Sequence, residues 1–485
     1  MFSYYVIGTS LLLVFLLKFE GQSTRHHQVV SALIFAAVPI VLSISTTGQP
    51  PGSWLALLVP VAAYLMYIRT LHYFDRDPRT DHREFATAFK EAMARPDPVG
   101  RKAVTPDYLL FLRIVACTLV VVMHSGIVFR HDFTFGHSAL AFVLYSPAWL
   151  GMIIFFTLSG YLMGKGFKSG KYETDRNGVQ RYLRNRFLRI YPLMFTVGVL
   201  AIVLQSPTLL TQPQLVVRIM TFNFNGDGGT DSIGAFWSLT TEWQFYLLVP
   251  ILFVLFSFIF QFRSSLGAIT FLVLVAGFLT RLYMWKHHGG FAGWNNYVYP
   301  TLIDNMDVFL IGFLANWWIQ RLENFGEVLR RSWFFLLFAI YVAYSYIAYP
   351  PMAGVNSDNA AVFGVLLPGL TAFAMLFVII GCEAQTKREK TRSKSRQTVG
   401  KALELGGNLV YPIYLTHSAI FFGVQSGIPA APYPFRLLIS VIVILLVSWI
   451  LHETVESRMS QLRQRLDSGK RIFPQSSQHI EGIVN

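Results

Sequence analysis

The stretch "RIVACTLVVVMHSG", residues 113–126, decides the fold class. Ten residues without a charge, Ile114 to Met123, run between Arg113 and His124. Such a run suits the interior of a bilayer, yet an ionisable group stands at each end. Eleven helical steps of 100° amount to three turns plus about 20°, so on a helix the two side chains share a face, about 16 Å apart along the axis. Ionisable residues within membrane spans are rare and mostly face a cavity or a partner.

The rest of the chain has the same character. Of its 485 residues, 53% are hydrophobic and only 14% are charged, against about 25% charged in a soluble domain. Mean hydropathy is +0.47. Apolar stretches near the roughly 20 residues that a spanning helix needs recur throughout. The class is an all-α polytopic membrane protein. Thirteen candidate spans lie near 2–17, 29–45, 53–68, 107–128, 139–163, 188–205, 237–260, 265–285, 301–318, 332–349, 360–381, 407–423 and 433–452.

The loops orient these spans. Loops 69–106, 164–187 and 382–406 carry eight, seven and seven Lys/Arg, and the tail from 453 carries five. Loops 46–52, 129–138, 206–236, 350–359 and 424–432 carry zero, one, one, zero and zero. Basic loops stay in the cytoplasm, so the N-terminus is expected outside and the C-terminus inside. The net charge of +14 follows from this bias, and nucleic acid is not expected as a partner. The first apolar run has no basic residue before it, unlike a cleaved signal peptide. Cys117 and Cys382 both sit in apolar runs and suggest neither a disulfide framework nor a metal site.

The chain divides into four parts. Residues 1–68 hold three spans without internal charge. Loop 69–106 contains "DHREFATAFKEAMAR", residues 81–95, whose Phe85, Phe89, Ala92 and Met93 fall on one face, as in an amphipathic helix on the inner membrane surface. Residues 107–452 hold ten spans and every polar group of interest. Residues 453–485 read as a disordered cytoplasmic tail.

Several stretches place polar groups in apolar surroundings. Arg113 alone fits a side chain snorkelling to the inner headgroups, and His124 alone fits a helix-end histidine. In "FFTLSGYLMGKGF", 155–167, Ser159 and Gly160 suit close helix packing. "RYLRNRFLRIYP", 181–192, brings Arg186 and Arg189 to the inner end of a span. That arrangement fits positive-inside anchoring, or an anion site in which guanidinium forks meet phosphate oxygens. "FWSLTTEWQFYLLVP", 236–250, carries Glu242 with no nearby Lys or Arg in sequence. A buried carboxylate needs a partner or a proton, and a pair with His124 at the same depth would satisfy both groups. "YPIYLTHSAIFF", 411–422, carries His417, and Asp304 and Asp307 open another span. Arginines thus gather on the cytoplasmic side, and histidines and carboxylates on the outer side. This segregation suits an anionic donor inside and an acceptor outside.

Five of these stretches, in order, resemble the membrane-bound acyltransferase-3 family of acyl-CoA-dependent O-acyltransferases. They are the Arg113–His124 pair, "FFTLSGYLM", "RFLRIYP", "WSLTTEWQFYLL" and "YPIYLTHS". The resemblance covers about 107–452 and matches the ten-span core usual for the family, here preceded by three extra helices. It departs where the family's "SVEEQFYL" reads "TTEWQFYL", so that Trp243 replaces an acidic residue.

The resemblance implies transfer of an acyl group, usually acetyl, from cytoplasmic acetyl-CoA or another acyl-CoA to a hydroxyl of a surface polysaccharide or lipid-linked glycan. Acyl-CoA enters as a cosubstrate, with no bound cofactor and no metal. On this reading His124 and Glu242 are catalytic, and Arg113, Arg186, Arg189 and Tyr191 bind the donor. Ser159, Trp237, Tyr246 and His417 line the acceptor site or channel. The protein is expected in the cell's inner membrane, with membrane lipid, the glycan acceptor and polysaccharide-assembly proteins as partners. A transporter of a lipid-linked sugar or small molecule fits the spans and buried charges too, but would favour inverted repeats and broken helices, which the sequence does not clearly show. A non-catalytic subunit of a polysaccharide export complex is a third reading.

Overall fold

The computed structural model describes residues 106–129, 146–224, 231–261, 266–352, 360–391 and 397–468. The three N-terminal spans, the amphipathic segment in loop 69–106 and the final residues of the tail lie outside the described residues.

Ten long helices make up the described core. They are α1 (Tyr108–Phe129), α2 (Ala148–Lys168), α3 (Arg176–Gln205), α4 (Trp237–Gln261), α5 (Leu266–His287), α6 (Leu302–Arg321), α7 (Gly326–Met352), α8 (Leu367–Thr391), α9 (Gln397–Gly427) and α10 (Tyr433–Leu451). A π turn, His452–Glu456, carries the chain on into an eleventh helix, α11 (Ser457–Ser468). Among the described residues nine helices are long and apolar enough to cross a membrane. The exception among the ten is α9, where Tyr411, Tyr414, Thr416, His417 and Ser418 lower the hydropathy of an otherwise apolar helix.

Several boundaries differ from the sequence reading, and two of them bear on the site. α3 begins at Arg176 rather than near 188. The Asp175 carboxylate accepts the Gly178 N–H at 2.8 Å and caps it, so the arginines lie on helix rather than in a loop. The stretch 453–468, expected as the start of a disordered tail, is helical. Met459, Leu462 and Leu466 recur at helical spacing and pack into the core, which offsets the low overall hydropathy of that segment.

The bundle is built around α2 and α6, whose backbones approach without intervening side chains. A β-carbon on Gly160 would overlap the Phe309 carbonyl, and one on Gly312 the Thr157 carbonyl. The Asn316 side-chain amide donates a hydrogen bond to the Tyr161 carbonyl at 3.0 Å. Small residues that allow such contact, reinforced by a polar bond, substitute for the hydrophobic drive that lipid does not supply. α4, α5, α7 and α10 carry exposed large apolar side chains, among them Phe258, Phe271, Phe335 and Leu446. In lipid this exposure costs little, because the lipid tails are as apolar as the side chains that face them.

A buried ion pair locks α5 to α6. Arg281 donates to both carboxylate oxygens of Asp307 at 2.7 Å. Its remaining bonds go to the carbonyls of Asp304 and Val365. Asp307 therefore serves packing, and Arg281, which the sequence reading passed over, neutralises it.

Candidate active site

Near the C-terminal end of α1, His124 finds its partner on α9. His124 Nδ1 lies 2.7 Å from His417 Nε2, and the two rings are stacked with centroids 5.0 Å apart. His417 is fully buried. Its Nδ1 lies 2.7 Å from the Tyr414 carbonyl, one turn back on the same helix.

A carbonyl only accepts, so His417 Nδ1 carries the proton. A neutral imidazole has one N–H, which leaves His417 Nε2 as the acceptor, and His124 Nδ1 must donate to it. The His124 proton thus sits on Nδ1, and its Nε2 keeps a free lone pair. The Ser418 hydroxyl lies 3.3 Å from the same His417 Nε2. Tyr414 is itself fixed, with its hydroxyl bonded to the Ala235 carbonyl at 3.1 Å and paired with Ser238 at 2.6 Å. The start of α4 therefore holds α9, and α9 holds the tautomer of His124.

Glu242 is not the partner of His124. Its carboxylate accepts the hydroxyls of Ser159 on α2 and Tyr246 one turn along α4. Arg113 lies within electrostatic range of Glu242, Tyr246 and Arg189. Arg113, Ser159, Glu242 and Tyr246 thus form one polar group from three helices. Trp237 packs apart from it, 4.6 Å from Tyr299 and 6.0 Å from Phe156 between ring centroids.

Further along the bundle, α3 presents Tyr182, Arg186 and Arg189 at helical spacing on one face. Arg186 is buried. It donates to the Tyr172 hydroxyl at 3.4 Å and lies over the Tyr182 ring at 5.9 Å. Burial pushes the Tyr172 phenol up, but the Arg186 charge, bonds from Asn185 and Arg186, and Lys171 outweigh it and hold the group below its ordinary value. Tyr191 sits elsewhere on α3, stacked on Phe187 at 4.7 Å and Phe195 at 5.9 Å. Two helical steps from Arg189 amount to about 200°, so Tyr191 faces away from the guanidiniums.

Sequence reasoning missed Tyr414, Tyr172 and Tyr182. Tyr414 stands three residues before His417, a spacing at which a helical carbonyl can meet a histidine ring, and that was the available signal.

The arrangement combines a histidine with an unprotonated nitrogen, a hydrogen-bonded carboxylate and a buried guanidinium cluster. A family model described as an acyltransferase domain matches residues 107–453. Comparison with curated proteins finds no match, and neither does comparison with solved structures.

Proposed function

Because the chain belongs to the acyltransferase-3 family, and so is a membrane acyltransferase, we propose that it moves an acyl group, acetyl foremost, from acyl-CoA to a hydroxyl of a cell-surface polysaccharide or lipid-linked glycan. The donor binds at the cytoplasmic end, where Arg186 and Arg189 hold its phosphates and Arg113 lines the path inward. The uncharged pantetheine arm carries the thioester towards His124 from one side, and the glycan hydroxyl reaches it from the other. Trp237 lies at the acceptor end.

His124 Nε2 takes the proton of the acceptor hydroxyl as its oxygen attacks the thioester carbonyl. The C–O bond forms, the C–S bond of the tetrahedral intermediate breaks, and the CoA thiolate leaves with the proton that His124 accepted. General-base help of this kind contributes about 10²- to 10⁴-fold. The hydroxyls of Ser159 and Tyr246 hold the Glu242 carboxylate in place, where it offsets the charge of Arg113.

The observation that carries this reading is the chain from the Tyr414 carbonyl through His417 to His124. Such a chain presets one tautomer and leaves one nitrogen ready to accept a proton. The test is transfer of labelled acetyl from acetyl-CoA into the glycan fraction of membranes holding the protein. His124→Ala should abolish transfer while the protein still inserts and still binds CoA. His124→Gln should be equally inactive, since an amide keeps hydrogen bonds but takes no proton. Near-normal turnover by a well-folded His124→Gln protein removes His124 from the chemistry.

A further inference from the structure

The matched region ends at residue 453, but the guanidinium cluster does not. α11 follows it and packs against α3. Asp467 makes the attachment, accepting from Arg184 at 3.0 Å and from the Asn185 amide at 3.0 Å. Met459, Leu462 and Leu466 supply the apolar part of the same face. Arg463 lies one turn before Asp467, so docking α11 turns Arg463 towards α3. There it comes within electrostatic range of Arg186, Arg189 and Tyr172.

The charges at this place do not balance. Arg186, Arg189 and Arg463 gather with one carboxylate in range of Arg463, that of Glu456, which is shared with His452 at 3.1 Å. Asp467 is committed to Arg184 and Asn185. Among the described residues none of the three arginines pairs directly with a carboxylate. Arg186 Nε, Arg463 Nε and the Tyr182 hydroxyl are buried without a hydrogen-bond partner. All three atoms can donate. Buried donors left unpaired are costly, and like charges held together are costlier still. A fold that keeps them in this way is arranged to receive an acceptor-rich anion.

We propose that Arg463, presented by the C-terminal helix α11, is a phosphate-binding residue of the donor site, closing with Arg186 and Arg189 around a phosphate of acyl-CoA. The proposal rests on the donor reading given above and extends it to a helix beyond the family's matched region. Asp467 is then a positioning residue. It touches no substrate, and it sets the angle of α11 through Arg184 and Asn185.

The experiment is CoA binding to the full-length protein in lipid nanodiscs, measured by calorimetry, together with the thermal midpoint of the ligand-free protein. Arg463→Ala should weaken CoA binding about 10- to 100-fold, as expected for loss of one charged hydrogen bond. Its ligand-free midpoint should stay level or rise, because a buried like charge has been removed, and CoA should raise that midpoint less than in wild type. A purely structural arginine predicts the opposite, a lower ligand-free midpoint with CoA affinity intact. Arg463→Gln, which keeps length and hydrogen bonding without charge, should also bind CoA weakly, and it decides the matter if the alanine variant does not fold. Unchanged CoA affinity in Arg463→Gln overturns the proposal and leaves the donor reading standing. Wild-type protein that does not bind CoA overturns the donor reading and this proposal with it. An Arg463 effect that appears only as sensitivity to anionic lipid in the nanodisc, with CoA affinity unmoved, assigns the residue to a lipid headgroup and likewise overturns it.

Discussion

Replacing His417 by Phe separates positioning from catalysis. The ring volume stays in a fully buried position, but the acceptor for the His124 Nδ1 proton at 2.7 Å is lost. Two costs follow. The Nδ1–H of His124 becomes an unsatisfied donor, a penalty of about 1–3 kcal/mol. The tautomer with the proton on Nε2, useless as a base, also becomes competitive. At about 1.4 kcal/mol per factor of ten, kcat should fall roughly 5- to 150-fold. That is less than the loss expected for His124→Ala, which removes the base itself. The KM for acetyl-CoA should hardly move, since none of the proposed donor contacts, Arg113, Arg186, Arg189 and Arg463, lies on α9 with His417. His417→Gln should recover much of the loss, because its side-chain oxygen can accept from Nδ1 of His124. The assay is initial-rate transfer of labelled acetyl into membrane glycan, with protein amount normalised. Wild-type turnover in His417→Phe would refute the relay. A loss as deep as that of His124→Ala, with no rescue by Gln, would make His417 the base in place of His124.

Three further outcomes follow from the packing and the charge pattern. Gly160→Ala or Gly312→Ala forces α2 and α6 apart against backbone atoms, so each should cost at least the roughly 1–3 kcal/mol of core overpacking, read as a lower thermal midpoint in detergent. Arg281→Met strands the Asp307 carboxylate inside the bundle and should cost about 3–5 kcal/mol, whereas Arg281→Met combined with Asp307→Leu should regain part of it; a double variant no better than the single one refutes a dominant charge penalty. A cysteine at Lys171 should escape an impermeant thiol reagent in intact cells while one at Thr211 reacts, and the reverse pattern inverts the proposed orientation.

Much of this protein was legible in one dimension. Hydropathy gives a polytopic helical membrane protein, because a bilayer admits few alternatives to the self-satisfied helix. Helical periodicity puts Arg113 and His124 on one face, because that relation depends only on the local turn of the backbone. The ten helices of the core follow the same logic, and so do Ser159, Glu242 and Tyr246 as polar residues in apolar surroundings.

Which faces meet was decided only by the tertiary structure. His124 and His417 lie 293 residues apart, and nothing in either helix alone excludes Glu242 as the partner. That choice follows from where α2 can approach. Gly160 and Gly312 let it sit directly against α6, Ser159 beside that contact meets Glu242, and the C-terminal part of α1 is left to α9. The pairing of Arg281 with Asp307 has the same origin, since each is a lone charge until α5 and α6 are packed. α11 marks the boundary between the two kinds of information. Its apolar spacing is present in the sequence, yet its low hydropathy reads as tail, because the energy that orders it comes from docking Asp467 and three apolar side chains onto a surface far away along the chain.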